Sequence, residues 1–299
     1  MKIAISGSTG FIGRLLSEFF LQSGNELIMI SRHDFADGSN QLAKVIKSAD
    51  VIVNLAGASV LQRWSEKNKK EIITSRVNTT KLLVKAVQQN LPDHCPQVFI
   101  SASAIGIYES NKSHDEYSNE LGSDFLASVC KEWESATTEL EQIDLRLCTI
   151  RIGIVLGTKG GSLKKMLPIF ESGLGGKIST GNQAFSFIHC LDFCRAIRHL
   201  IMSHKSEGVY NFVSPEPSTN YLFTKALSEN LHRPAFFTIP EFALKIVYGQ
   251  ASTMLTTGAR VLPKRLLDEG FWFQFPDISS AIADLVNKGE LISSVKTLD

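Results

Sequence analysis

Glycines at positions 7, 10 and 13, set between a short apolar run and an amphipathic stretch, limit what the start of this chain can become. Lys2-Ile3-Ala4-Ile5-Ser6 reads as a strand, and Gly7-Ser8-Thr9-Gly10-Phe11-Ile12-Gly13 follows it at once. Leu15, Leu16, Phe19, Phe20 and Leu21 then recur at helical spacing until Ser23-Gly24 closes the segment. A strand that enters a helix through such a turn suits a phosphate: Gly7 permits the tight turn, Gly10 lets the backbone approach a pyrophosphate, and Gly13 lets the helix pack close to the strand. The anion then meets the helix N-terminus. A second strand, Glu26–Ile30, ends in Ser31-Arg32. An acid at that place would hold ribose hydroxyls, whereas Arg32 suits a 2′-phosphate through charge-assisted hydrogen bonds, so the expected cofactor is NADP(H). The plainer alternative is a solvated cation at a strand end.

The rhythm continues. A short helix over Gln41–Lys47, a strand over Val51–Leu55 with Ala56-Gly57 behind it, and a long helix over 66–90 follow in order. Val98-Phe99-Ile100 runs into Ser101-Ala102-Ser103, a helix is expected over 124–141, and Cys148–Ile152 reads as a further strand. Strand and helix alternating in this way imply a parallel sheet covered on both faces. The interval before Val51 is short, which points to a trimmed crossover. Beyond residue 158 glycines at 160, 161, 173, 175, 176 and 181 break the pattern, and helices are expected near 191–203, 219–231 and 240–248. The predicted fold is α/β, a Rossmann-like doubly wound parallel sheet with a smaller C-terminal substrate lobe. Residues 1–157 carry the nucleotide-binding core, 183–215 return to the sheet, and 158–182 with 216–299 build the lobe. A small-molecule substrate is expected between sheet and lobe.

Composition removes several classes. With 20% charged residues and a net charge of +1 over 299 residues, no global field favours nucleic acid or an anionic membrane. No apolar run approaches the ~20 residues of a membrane span. The N-terminus enters a strand with no signal-peptide architecture, so a cytoplasmic location is expected. Cys95, Cys130, Cys148, Cys190 and Cys194 are odd in number and lack Cys-x-x-Cys spacing, which indicates neither a disulfide framework nor a metal site.

The Gly-x-x-Gly-x-x-Gly spacing resembles the short-chain dehydrogenase/reductase superfamily, in particular its extended, epimerase-like branch. That resemblance implies a Ser, Tyr and Lys trio in which the lysine lowers the tyrosine pKa, the tyrosine moves a proton, and the serine binds the same oxygen. Ser103 stands at the serine position and Lys131 at the lysine position. Four residues before Lys131 is Ala127, so the tyrosine is missing. Tyr108 is the available stand-in, with a structural role as its alternative.

A longer series of motifs narrows the resemblance. Asn54-Leu55-Ala56-Gly57, Arg63-Trp64, Ser75–Thr80, Ser101–Gly106, Asp124-Phe125-Leu126 and Cys130–Glu134 come in order. Arg151–Gly157, Phe187-Ile188-His189, Asn211-Phe212, Arg233-Pro234-Ala235 and Pro263–Leu266 complete it. Together they are similar to an atypical epimerase-like group that characteristically lacks the tyrosine. Proteins of the group also carry the label of SulA-type cell-division inhibitors, for which the chain shows no filament-binding element.

The resemblance implies that Gly7, Thr9, Gly10, Phe11, Ile12 and Gly13 line a pyrophosphate, with Ser31 and Arg32 at the adenosine phosphate. Leu55, Ala56 and Gly57 would pass the adenine-side ribose, and Arg76 would reach the diphosphate or lie as a surface charge. Ser101, Ala102, Ser103, Lys131, Ile152, Gly153 and Val155 would approach the nicotinamide. His189 and Asp192 read as scaffold or site; Arg63, Trp64, Trp133 and Trp272 as pocket wall or core. The implied activity is that of an oxidoreductase or epimerase-like enzyme on an unidentified small carbonyl or alcohol, with room for a homodimer. The alternative is a non-catalytic NADP(H)-binding, redox-sensing module that acts through a protein partner.

Overall fold

The computed structural model describes residues 1–287, and the final stretch of the predicted C-terminal lobe, 288–299, lies outside them. Twelve strands and twelve helices run through the described residues. The strands are β1 (Lys2–Ser6), β2 (Glu26–Ile30), β3 (Val51–Asn54), β4 (Val98–Ala104), β5 (Ser113–His114), β6 (Arg146–Ile152), β7 (Ile154–Leu156), β8 (Gly176–Ile178), β9 (Phe187–His189), β10 (Gly208–Phe212), β11 (Phe237–Ile239) and β12 (Arg260–Val261). The helices are α1 (Phe11–Gln22), α2 (Arg32–Ala36), α3 (Ser39–Ile46), α4 (Glu66–Asn90), α5 (Phe125–Ser135), α6 (Gly161–Glu171), α7 (Cys190–Met202), α8 (Asn220–Leu231), α9 (Glu241–Tyr248), α10 (Thr253–Thr256), α11 (Lys264–Asp268) and α12 (Ile278–Asn287).

Period-two side-chain alternation explains the central sheet. Ile3 and Ile5 of β1, Val51 and Val53 of β3, and Val98 and Ile100 of β4 belong to one core with α1 and α7. The intervening Ala4, Ile52 and Phe99 belong to a second core with α3 and α4. Both faces are therefore apolar, as a parallel sheet requires. Its six strands lie in the order β10-β6-β4-β3-β1-β2, all parallel. This is the α/β, doubly wound arrangement expected from the sequence, with the crossover between β2 and β3 shortened to α2 and α3. The pairs β7–β9, β8–β11 and β5–β12 form three small parallel sheets outside it.

Some boundaries differ from the expected ones. The helix predicted over 124–141 stops at Ser135 and gives way to a 3₁₀ turn at Thr138–Gln142. Ser135, Thr137 and Thr138 each donate a hydroxyl hydrogen bond to a carbonyl three residues back, which competes with helical pairing. The strand predicted from Cys148 begins at Arg146. Residues 32–36, for which no element was expected, form α2, because Ser31 and Asp34 make a capping box at its start.

Candidate active site

The chain leaves β1 for β2 on one side and returns for β3 on the other, so the carboxyl ends of β1 and β3 flank a topological switch point. A buried polar relay holds them together. Ser6 Oγ donates to Asn54 Oδ1 at 2.6 Å and accepts from the amides of Leu55 and Ala56 at 3.1 and 3.2 Å. Asn54 Nδ2 donates to Thr80 Oγ1 on α4 at 2.8 Å, and Trp133 Nε1 on α5 donates to the same oxygen at 3.1 Å. The indole is thereby core, joined to the site's foundations.

Above the relay the turn is tight for a visible reason. Gly7 has φ +70°, and a Cβ on it would lie 2.8 Å from the Leu55 carbonyl oxygen. At Gly13 a Cβ would come within 2.2 Å of the Gly7 carbonyl oxygen, so α1 can rest on the turn only through glycine. Gly10 is the N-cap of α1 and offers no side chain to its first amides. Those amides, with Thr9 and Gly10 exposed beside them, are donors with no intrahelical acceptor. The Phe11 ring lies against Gly160 and Gly161 at the start of α6, and Ile12 is half-buried.

Arg76 packs its guanidinium against Gly57, donates to the carbonyls of Ile72 and Ala58 at 3.1 and 2.9 Å, and lies 5.1 Å from the Trp133 ring centroid. Burial lowers its pKa, and no carboxylate pairs with it among the described residues. It is thus a half-buried cation rather than a helix-surface charge. Arg32 stands exposed at the start of α2. Ser31 lies beside it as the N-cap of α2, its hydroxyl donating to Asp34 Oδ2 at 2.6 Å and holding that carboxyl below its ordinary pKa.

The expected catalytic positions show a different chemistry from the family trio. Ser103 is buried at the end of β4, and its Oγ donates to Glu134 Oε1 at 2.6 Å. Arg151 on β6 grips the same carboxylate through Nε and Nη2, both at 2.8 Å. Its remaining arm donates to Tyr108 Oη at 2.9 Å, and Tyr108 donates to Asn211 Oδ1 at 2.9 Å. Burial opposes the Arg151 charge, but the hydrogen bonds and charge of Glu134, with Tyr108, outweigh it and raise its pKa. Tyr108 is buried, stacks on His114 at 4.9 Å, and has its pKa raised chiefly by that burial. The stand-in role for Tyr108 therefore does not suit its surroundings: its proton is committed to Asn211 and its ring is scaffold. Lys131 is exposed on α5 and donates to the Gly122 carbonyl at 2.9 Å, which leaves two ammonium donors.

Ala127 is fully buried, and a Cβ on Gly122 would lie 3.1 Å from its methyl. Gly122, tied by its amide to the Ile107 carbonyl at 2.8 Å, packs against that methyl, so a larger side chain at 127 would press on it. Ser101 Oγ is buried without a hydrogen-bond partner among the described residues beside Ala102, and Ile152, Gly153 and Val155 continue the carboxyl edge next to them.

Several other candidates are tied into the scaffold. His189 Nδ1 caps α7 by accepting the Leu191 amide at 3.1 Å. Asp192 has no exposed surface and accepts the amides of Gln274 and Phe275 at 3.0 and 2.8 Å and Arg195 Nη1 at 2.7 Å. Arg63 donates to the carbonyls of Ile246 and Val247 at the end of α9, and Trp64 packs on Phe125 at 5.0 Å. Trp272 is exposed on the opposite edge of the molecule. Glu134, Arg151, Glu116 and Asn211 were not expected as site residues. The first two and Asn211 lie inside the quoted motifs, which was the available signal. Glu116, whose pKa burial raises, receives the Asn211 amide at 2.9 Å. No helix among the described residues is long and apolar enough to cross a membrane, and none of their His, Cys, Asp and Glu side chains gather in groups of three that could hold a metal ion.

The chain as a whole is similar to known proteins. The NAD dependent epimerase/dehydratase family matches residues 3–212, and a domain of unknown function, DUF1731, matches 239–285. The mouse epimerase family protein SDR39U1 is 34% identical over 96% of this chain and 100% of its own length. A Staphylococcus saprophyticus epimerase family protein, SSP1921, is 32% identical over 95% of this chain and 98% of its own. The crystal structure of human SDR39U1 (isoform 2) with NADPH superimposes with a TM-score of 0.89 at 32% identity, covering 96% of this chain and 99% of that one. With the family matched over residues 3–212 and most of its length aligned to such relatives, the chain belongs to the NAD dependent epimerase/dehydratase family.

Proposed function

We propose that the chain binds NADP(H) across the carboxyl edge of its sheet and acts as an oxidoreductase or epimerase-like enzyme on a small carbonyl or alcohol. One observation carries this reading. The Gly7 backbone is pressed onto Leu55 beneath an α1 N-terminus that no side chain caps, in a chain related to a human protein crystallised with NADPH. The residues fit such a cofactor, since side chains are excluded at Gly7 and Gly13, where the backbone would have to approach. When bound, the cofactor would give or take a hydride at its nicotinamide ring.

The α1 amides would hold the pyrophosphate and Arg32 the 2′-phosphate. Arg76 would add charge on the diphosphate side, and Lys131 would offer its two remaining donors to a ribose. Ser103 gives its proton to Glu134, so it presents lone pairs to the site and would accept a hydrogen bond from a substrate hydroxyl. The substrate proton would then move through a group other than residue 127. The same reading makes the protein cytoplasmic and directed at a small molecule, with a homodimer as the assembly to test by sedimentation.

A second reading, a redox-sensing NADP(H) module that acts through a protein partner, is favoured by the closed space at Ala127 and the committed proton of Ser103. Titration with NADPH and NADH, followed by a hydride-transfer screen over small carbonyls and nucleotide sugars, separates the two. Turnover supports the enzyme, and tight NADPH binding without turnover supports the sensor. Failure to bind either nucleotide sinks both.

A further inference from the structure

A cleft far from the glycine turn lies at the other end of α1. It has a volume of about 760 Å³ and is bounded by Met1, the end of α1, the last turns of α7 and residues 270–272. Because α1 starts at the carboxyl end of β1, its last turn lies at the opposite edge of the sheet, where β1 begins. Phe19 and Phe20 form an apolar floor. Arg195 stands in the wall, its guanidinium 5.5 Å from the Phe271 ring centroid and 5.3 Å from that of Trp272. Asp192 fixes that guanidinium at 2.7 Å and also holds the 274–275 backbone, so arginine and rings are positioned in advance.

Two features in this cleft lack a structural use. Trp272 keeps 66% of its surface exposed although it sits on a pinned segment. Arg198 is exposed and has no hydrogen bond or ion pair among the described residues, while the neighbouring His199 is paired with Glu269 at 3.3 Å. A wide aromatic face beside a fixed guanidinium favours a planar π-system, and an unpaired arginine favours an anion. The volume lies within the ~300–1,000 Å³ range of small-ligand sites.

We propose that this cleft is a second binding site, separate from the carboxyl edge, for a small aromatic anion of the carboxylate or sulfonate class. The ring lies on Trp272 and Arg195, and the charge meets Arg198. The site gives the region matching the domain of unknown function a ligand-binding face, and it stands whether or not NADP(H) binds at the glycine turn.

The probe is 8-anilinonaphthalene-1-sulfonate, with N-phenyl-1-naphthylamine as the same skeleton without the charge. Fluorescence titrations of the whole protein use saturating NADPH to cover any dinucleotide site. The expected result is one sulfonate bound per chain with NADPH present. Arg198→Glu weakens it about tenfold or more, as loss of a charge-assisted contact predicts, and leaves the uncharged probe unaffected. Trp272→Ala weakens both probes. Both substitutions are at exposed positions, and an unchanged melting temperature confirms that the fold is intact. Displacement of the sulfonate by NADPH, absence of binding, or indifference to both substitutions would overturn the proposal.

Discussion

Ser103 gives its hydroxyl proton to Glu134 at 2.6 Å, and Arg151 holds the same carboxylate with two further hydrogen bonds. The serine's direction is thus decided by an ion pair with side-chain exposures of only 9% for the arginine and 18% for the glutamate. Removing either charge leaves the other desolvated. Arg151→Met is expected to cost about 3–5 kcal/mol, whereas Ser103→Ala, which spares the pair, is expected to cost about 1 kcal/mol. Urea denaturation midpoints compare them. The double variant Glu134→Gln/Arg151→Met should recover part of the loss, and equal effects of Arg151→Met and Ser103→Ala would show that the pair is not the anchor.

Ala127→Tyr would restore the family pattern on paper but not in space. The fully buried methyl already packs on Gly122, so the variant is expected to lose about 1–3 kcal/mol by overpacking and to gain no turnover. A thermal melt together with a hydride-transfer assay checks both parts. A stable variant with new activity would contradict this account of the closed space.

Gly13→Ala tests the contact between helix and turn. Its methyl would press on the Gly7 carbonyl, an atom of the backbone that cannot rotate away. A loss of at least about 1–3 kcal/mol is expected, with weaker NADPH binding measured by calorimetry. Retention of both would mean that α1 slides readily over the turn.

Arg32→Ala is expected to weaken NADPH by about tenfold or more while changing NADH little, because only the former carries the 2′-phosphate. Equal losses for the two nucleotides, in paired titrations, would remove Arg32 from that role.

Burial pushes the Cys130 and Cys148 thiols up to about 12 from an ordinary 9.0. A folded pKa above the unfolded one contributes stability below the unfolded value, and that contribution is lost as pH rises through the window. Stability should therefore fall between pH 9 and 12 as the unfolded chain, but not the folded one, releases these protons. Urea midpoints across that range should decline less steeply in Cys130→Ala/Cys148→Ala. Near neutral pH neither thiol should react with iodoacetamide in the native protein, since the thiolate is the nucleophile.

The central sheet was legible because its signals are local. Alternating burial along β1, β3 and β4 needs no knowledge of partners, and the glycine turn announces the switch point within seven residues. The family resemblance placed Ser103, Lys131 and Ala127 by position. It could not see that Ser103 faces Glu134, 31 residues onward, or that Arg151 bridges to Tyr108, 43 residues back, because those contacts arise only when β4, β6 and α5 assemble. The Ser6–Asn54–Thr80 relay was hidden for the same reason. The loss of helix after Ser135 was local but ambiguous, since serine and threonine are tolerated in helices until their hydroxyls bond backward.

Asp192 is made 82 residues before Gln274, whose amide it requires, and its other backbone donor is the next residue along. During synthesis, α7 therefore carries an acid destined for a dry interior well before those amides exist. The two matched regions, 3–212 and 239–285, are accordingly joined through this one carboxylate, which is satisfied only when the far end is delivered. A chain released at residue 238 would keep the nucleotide turn and lose the latch that closes the core behind it.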